Sequence, residues 1–484
     1  MRAIVLPAVL GIVALSAGCG SSGGAVERNG PATTHSGASF VSISCSASGE
    51  CAAGGFYNSA KAGYQPLVAG ETDGSWGNAI EVPGMAKLNR RHGARVTSIS
   101  CGAPGECAAG GYYFDYPHWT YEGPFLVSET NGKWGNAIEV PGTAQLDTVG
   151  DARVTAISCS ASGECAAGGY YDNFGKPFVV DERNGSWGTA IEVPGMAKLN
   201  PDGYALLNSI SCAAPGECVA GGSYSPVGSE SIHAWVENET NGSWGAAIEV
   251  PGMATRNTDG EAALTSISCA AAGECAAGGY AGTARSVDHA FVVNETNGRW
   301  GTAIEVRGTA TFGHGFVQVN SISCAAPGEC AAGGYYVNNT DPVGDDHDRP
   351  FVVDEKSGKW SKAIKVPGTA TLHKDCSSTR RTRRCFDTGS EVTSISCGAA
   401  GECAAVGAVD GGTPFLSISP VNFPTFVVNE TKGSWGTAIR VRGTVTPNSI
   451  SCAAAGECAV GGGYYQPFVL SQSNGRWGDP LHFK

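Results

Sequence analysis

Apolar positions along this chain fall in short runs separated by turn signals, and the body of the chain shows no 3.6-residue helical period. Four such runs follow one another and then repeat. In one unit, run A is Val96-Thr97-Ser98-Ile99-Ser100-Cys101 and run B is Cys107-Ala108-Ala109-Gly110-Gly111-Tyr112. Run C is Phe125-Leu126-Val127, and run D extends from Trp134 through Ile138-Glu139-Val140. β-Branched and aromatic residues suit a pleated, half-buried chain, so each run predicts a short strand. Five residues with a Gly before a Glu join A to B, and Asn-Gly or Lys-Gly joins C to D. Gly supplies the positive φ that tight hairpins require.

The repeat is counted by its cysteines. Sixteen of them form eight C-x₅-C pairs: Cys45/Cys51, Cys101/Cys107, Cys159/Cys165, Cys212/Cys218, Cys269/Cys275, Cys324/Cys330, Cys397/Cys403 and Cys452/Cys458. The pairs recur every 53 to 58 residues, except for 73 between the sixth and seventh. Eight tryptophans keep step: Trp76, Trp134, Trp187, Trp244, Trp300, Trp360, Trp435 and Trp477. Four antiparallel strands repeated eight times predict an all-β, eight-bladed β-propeller with one disulfide in each A–B hairpin. A β-helix would need shorter coils, and separate sandwiches about 100 residues each. C-x₅-C is not a usual zinc spacing, so disulfides are expected and no metal or other cofactor. Each bridge closes so short a loop that it contributes only ~2 kcal/mol. Cys376 and Cys385 form a ninth expected pair.

The start of the chain changes the picture from fold to address. Met1-Arg2 precedes an uncharged apolar stretch, Ala3 to Ala17, that ends Leu15-Ser16-Ala17-Gly18-Cys19. This is a signal-peptide pattern with an h-region too short to span well. Small residues before a Cys resemble a bacterial lipobox, which implies lipid on Cys19 and a protein held at the outer leaflet of the cell membrane. Residues 1–18 are read as signal peptide, 19–38 as a Gly/Ser/Ala tether, and 39–484 as the propeller. Within the tether, Val26-Glu27-Arg28-Asn29-Gly30 echoes Val180 to Gly185, which leaves a vestigial outer strand as the alternative.

Composition adds little more. Gly is 71 of 484 residues, as many tight turns demand, and charged residues are 15%. The net charge of −13 argues against a nucleic-acid partner.

The Glu-x-x-Gly-x-Trp turn resembles a degenerate Asp-box of sialidase-type propellers. It has Glu or Asn near the Asp position and one residue fewer before Trp. The whole unit, over residues 39 to 484, resembles disulfide-containing propeller repeats of secreted and lipid-anchored bacterial proteins, especially actinobacterial ones. The sialidase resemblance would imply an arginine trio, a Tyr/Glu pair and an acid. These are not assignable, and the Arg-Ile-Pro motif is missing. No catalytic residues are assigned.

In propellers the A–B and C–D hairpins lie on one face and the B–C and D–A loops on the other. Here the first set is uniform and the second varies, so a ligand is expected on the B–C/D–A face. Two insertions supply candidate binding residues. One carries Tyr116, His118, Trp119 and Tyr121, aromatics that suit a sugar or a protein hot spot. The other carries Arg380, Arg381, Arg383 and Arg384 between Cys376 and Cys385, and suits phosphate or carboxylate. A third insertion, Asp341 to Asp348, reads as a solvated acidic loop without EF-hand spacing. The recurring turn glutamates, Glu50 to Glu457, are expected to satisfy turn amides, and the Tyr after Gly-Gly to pack between blades. The sequence therefore favours a non-enzymatic, monomeric envelope lipoprotein that binds an envelope protein or glycan as a scaffold. The alternatives are a lectin-like carbohydrate-binding propeller and a sialidase-like glycoside hydrolase.

Overall fold

The computed structural model describes residues 27–28 and 37–483, except 60–61, 90–92, 116–120, 173–174, 230, 254–259, 283–288, 313–314, 339–346, 373, 380–381, 388, 410–424, 443–445 and 464–465. For residues 27–28, 115, 121, 338, 347, 374–379, 382–387 and 409 only the backbone is described.

Eight antiparallel sheets follow one another along the chain, at 38–81, 94–139, 153–192, 204–249, 262–305, 317–365, 390–440 and 447–483. These are blades 1 to 8. In blade 3, strand A is Arg153–Ala161, B is Glu164–Tyr171 and C is Lys176–Arg183. The expected strand D is split into Ser186–Trp187 and Ile191–Glu192, both paired with C. The other blades repeat this order.

All eight expected C-x₅-C disulfides are present, one in each A–B hairpin. They are Cys45–Cys51, Cys101–Cys107, Cys159–Cys165, Cys212–Cys218, Cys269–Cys275, Cys324–Cys330, Cys397–Cys403 and Cys452–Cys458. Their Cα atoms are 3.9 or 4.0 Å apart, with the two cysteines directly opposite in the ladder. The strand-B cysteine of each pair is buried and joins a core between blades, while its strand-A partner is only partly buried.

The Ser-Ile-Ser-Cys motif has a purpose that spans blades. Strand A is innermost, so one of its edges faces the neighbouring blade without a ladder partner. Serine hydroxyls take that role. Ser44 Oγ accepts from Cys101 N at 3.0 Å, Ser100 Oγ from Cys159 N at 2.9 Å, and the pattern continues around the ring. The preceding serine accepts from the Ile amide, as Ser42 does from Ile99 N at 3.2 Å. Blade 3 lacks this second bond because Ala156 replaces the serine. Each A strand also carries a β-bulge between this serine (Ala156 in blade 3) and the residue two positions before it, for example between Val96 and Ser98. Where the bulged residue is Thr or Asn it usually reaches the next blade's carbonyl, as Thr97 Oγ1 does to Val154 O at 2.6 Å.

The Gly-Gly of strand B answers this crowding. A Cβ at Gly55 would lie 1.9 Å from the Ser39 carbonyl oxygen, and one at Gly54 would lie 2.7 Å from Val96 of the next blade. Between blades lie the cores, each built from two neighbours. One unites Ala108 and Leu126 of blade 2 with Val154, Ile157, Cys165, Ala167 and Phe178 of blade 3.

The ring closes by the same contacts. Cys45 N donates to Ser451 Oγ at 2.9 Å and Asn448 Nδ2 to Phe40 O at 2.7 Å. Phe483 packs edge-on against Phe40 at 5.1 Å. Strands A to D of blade 8 all come from the C-terminal end of the chain. Glu27–Arg28 forms a further outer strand, parallel to Leu481–Phe483, so this piece of the expected tether is paired with blade 8.

Two features depart from the expectation of strands alone. Among the described residues, five D–A connections contain a short helical turn: Met85–Leu88, Thr143–Leu146, Met196–Leu199, Thr309–Thr311 and Thr369–Thr371. The first part of this connection is also uniform. Its Pro carbonyl, or that of Arg307 between blades 5 and 6, accepts from the next blade's Ala, as Pro83 O does from Ala137 N at 2.8 Å, and Met85 is buried beneath it. Turns of three or four residues are too short to show a period in sequence.

Candidate functional site

The two faces are built differently. On one, every A–B turn is tied to the C–D turn of its own blade. Gly49 O accepts from Gly74 N at 3.0 Å and Glu50 Oε1 from Asp73 N at 2.9 Å, and the same pair of bonds recurs in all eight blades. Asp73 and its equivalents have φ near 50° and are followed by Gly, as a type I′ turn requires. A Cβ on Gly49 would lie 2.6 Å from Gly74 N, so only Gly fits. The recurring turn glutamates are therefore structural, as expected, and this is the constant face. The disulfides beneath it serve the frame in the same way. Cys165, Cys218, Cys275, Cys330, Cys403 and Cys458 are buried, each bonded to its strand-A partner, so their sulfurs are not free to act as nucleophiles or metal ligands.

Just inside it runs a second set of acids that the sequence reading passed over as part of the degenerate Asp-box turn. Glu71, Glu129, Glu182, Glu239, Glu295, Glu355, Glu430 and Gln472 are buried, one per blade. Each faces the preceding blade, and at seven of the eight junctions one residue of strand C there accepts from the D-strand tryptophan beside it. Asn238 accepts from Trp300 Nε1 at 2.8 Å and donates to Glu295; Asn294 does the same for Trp360 and Glu355. Ser128 accepts from Trp187 at 3.0 Å and donates to Glu182 at 2.7 Å. Where the bridge is Asp, which cannot donate, a basic residue stands two positions on. Asp181 accepts from Trp244, and Arg183 pairs with Glu239. Asp354 accepts from Trp435, and Lys356 is the cation whose charge acts on Glu430. Burial raises these carboxyls: Glu129 is pushed up to about 7 by burial and then by Glu106, and Glu430 to about 7 by burial and then by Asp354.

The other face begins where A strands start and B strands end. Arg153 lies 4.3 Å over the Tyr112 ring and is held by Glu122, through Nη2 to Oε1 at 2.6 Å. Arg95 stacks over Phe56 at 4.3 Å and Tyr64 at 4.1 Å. Phe316 lies between Tyr280 and Tyr335, at 5.3 and 5.7 Å. The aromatic after Gly-Gly thus packs between blades, as expected. Sequence reasoning missed the Arg95 and Arg153 clusters. Their signal was present: this A-strand position holds Leu206, Ala263, Gln318 and Glu391 in other blades. Val149, Tyr204 and Val227 are also exposed on this face, at 62%, 62% and 68%. They break the repeat, unlike the half-exposed isoleucines that recur on every D strand of blades 1 to 7.

Of the candidate ligand residues, Tyr116, His118, Trp119, Arg380 and Arg381 lie outside the described residues, as does Cys19. Tyr121 opens strand C of blade 2, paired with Asp115 at the end of strand B. The two flanking strands, Glu106–Asp115 and Tyr121–Thr130, are ten residues each. The residues that flank the aromatic insertion, Asp115 and Tyr121, therefore lie at the variable-face end of blade 2, next to Glu122. Arg383 and Arg384 lie in a separate two-stranded sheet, Lys374–Thr379 with Thr382–Asp387, between blades 6 and 7. Cys376 and Cys385 are directly opposite in its ladder. The structure thus places the aromatic and basic insertions in different connections: one in the B–C loop of blade 2, the other in the D–A connection before blade 7.

The chain matches no protein-family model and no curated protein. Among solved structures it is similar to Sqt1 from Chaetomium thermophilum at 10% identity, covering 95% of this chain and 98% of that one, with a TM-score of 0.49. It is similar to the Dos1 propeller at 11% identity, covering 88% and 90%, with a TM-score of 0.49. A structure described as YCF48 bound to D1 peptide is 11% identical, covers 78% and 91%, and has a TM-score of 0.41. The propeller assignment rests on the strand pairings above.

Proposed function

We propose that this protein is a non-enzymatic envelope lipoprotein, anchored through Cys19, that uses its variable face to bind a protein partner. The observation that carries this reading is the asymmetry of the faces. One is fixed by eight copies of the same turn lock. The other bears the insertions, the Arg95 and Arg153 clusters and the non-repeating exposed Val149, Tyr204 and Val227. Binding residues concentrate on variable loops held by a rigid frame. Aromatic and arginine side chains dominate protein hot spots. The direction of the outer strand supports an orientation too. D strands run from the constant to the variable face, and Glu27–Arg28 is parallel to the last of them. The chain thus enters that strand from the constant face, which favours a tether that leaves the variable face turned away from the membrane.

Glycan binding through the Gly-Gly aromatics is less favoured, because Phe56 and Tyr112 are covered by Arg95 and Arg153. The test is affinity capture from envelope extract with the full chain, Trp119→Ala, and a double variant Arg383→Ser/Arg384→Ser. A partner retained by the full chain and lost from at least one variant is the expected result. Equal retention by all three contradicts the assignment of these loops.

A further inference from the structure

We propose that the cleft between blades 1 and 2 binds an organic cation, a guanidinium or primary ammonium, that carries an oxygen acceptor close to its charge. This cleft lies on the constant-face side and does not depend on the variable-face reading.

The repeat itself supplies the argument. At seven of the eight blade junctions a C-strand side chain stands between the tryptophan and the buried acid (or Gln472) of the next blade: Ser128, Asp181, Asn238, Asn294, Asp354, Asn429 and Ser471. Asn and Ser both accept and donate. Asp only accepts and adds a negative charge, and both Asp junctions carry a basic residue two positions later, Arg183 or Lys356. At the eighth junction the bridge is Gly70, and the residue two positions on is Thr72. Neither a bridge nor a cation is supplied.

Three groups are left over there. Trp134 Nε1 and the Glu129 carboxylate have no hydrogen-bond partner among the described residues, although Glu129 is only 9% exposed. Glu50 uses Oε1 for the Asp73 amide, while its Oε2, like that of every turn glutamate except Glu106 and Glu457, has no serine in the next blade to meet it. Pro104 stands at that position in blade 2. All three line one pocket of ≈ 240 Å³, together with Gly70 and Thr72. Clefts of similar size recur at other junctions, so volume alone does not mark this one. The missing bridge at Gly70 and the unmet Trp134 N–H do; single unpaired carboxyl oxygens also occur at other junctions, on Glu239, Glu295 and Glu430.

The ligand chemistry is read from a filled junction. Between blades 3 and 4, the Arg183 guanidinium pairs with Glu239 and lies 3.7 Å from Glu164, while Asp181 accepts from the tryptophan. Glu129, Glu50 and Trp134 are the counterparts of Glu239, Glu164 and Trp244. A cation supplied from outside would bridge the two carboxylates, and its oxygen would accept from Trp134. A neutral amide satisfies one carboxylate and leaves the other.

Isothermal titration of the full chain separates the sources of such a group. N-acetyl-arginine methylamide represents an arginine within a partner protein, free arginine represents a small molecule, and N-acetyl-glutamine methylamide is the neutral control. The expected result is saturable binding of an arginine probe in preference to the control, with the tighter of the two identifying the source. Gly70→Asn restores the chain's own bridge, and a Cβ there meets nothing within 4 Å. It should keep or raise Tm and weaken binding at least ~10-fold, the share of one charge-assisted hydrogen bond. Glu129→Gln gives the same readout without altering position 70. Failure of both arginine probes to saturate, equal binding of the control, or an affinity unchanged by Gly70→Asn would each overturn the proposal.

Discussion

Glu237 shows how one residue can depart from its repeat at a cost. It sits on strand C of blade 4 where other blades have Val or another small apolar residue, such as Val180 and Val293. It is 1% exposed and neither carboxyl oxygen has a partner. Burial alone pushes it up to about 9 from an ordinary value of 4.5. Between those values the unfolded chain has lost a proton that the native state keeps, so native stability falls as pH rises. Glu237→Val is therefore expected to stabilise the protein at pH 8, and the gain should shrink towards pH 5. The slope is at most ~1.4 kcal/mol per pH unit. Denaturation midpoints of both proteins across that range check it, and a gain that is flat with pH would point to packing instead. This site was not legible from sequence, because a single Glu among many reads as a surface residue until its neighbours are known.

At the scale of the element, the strands of a blade are held within by hairpins and between by serine. The hairpins were legible: Gly before Glu, Asn-Gly and paired cysteines are local signals. The serine ladder was not, because each bond joins residues more than fifty positions apart and leaves only an unexplained Ser-Ile-Ser. The bridge rule linking Asp181 to Arg183 and Asp354 to Lys356 was hidden for the same reason, since its logic lies in the next blade. The missing rung at Ala156 gives a test. Ala156→Ser offers Ile210 N the acceptor found at the equivalent place elsewhere and should stabilise by about 1 kcal/mol. Ser98→Ala removes the bond from Ile157 N, 3.0 Å long, and should cost a similar amount. Thermal melts of the two variants should move in opposite directions. Movement in the same direction would mean the ladder is not what holds neighbouring A strands.

At the scale of the whole molecule, eight similar blades must close with only the two-residue strand Glu27–Arg28 carried from the N-terminal side to blade 8. Closure rests on Phe483, 1% exposed between Phe40 and Trp76, and on the serine and asparagine bonds between blades 8 and 1. Phe483→Ala is expected to cost ~3–5 kcal/mol, with amide exchange increased first in blades 1 and 8. A uniform increase around the ring would contradict closure at that junction. The repeat made the blade count plain. It left the interaction surface open, because the residues that matter there are those that break the repeat. The most direct test of the account places a photo-crosslinking amino acid in turn at Val149, Tyr204 and Val227 on the variable face, and at Asn241, Asn297 and Lys432 in constant-face turns away from the cleft between blades 1 and 2. Irradiation of cells carrying each variant should yield a discrete protein adduct from variable-face positions and none from the turns. Adducts confined to the constant face would contradict the assignment of function to the variable one.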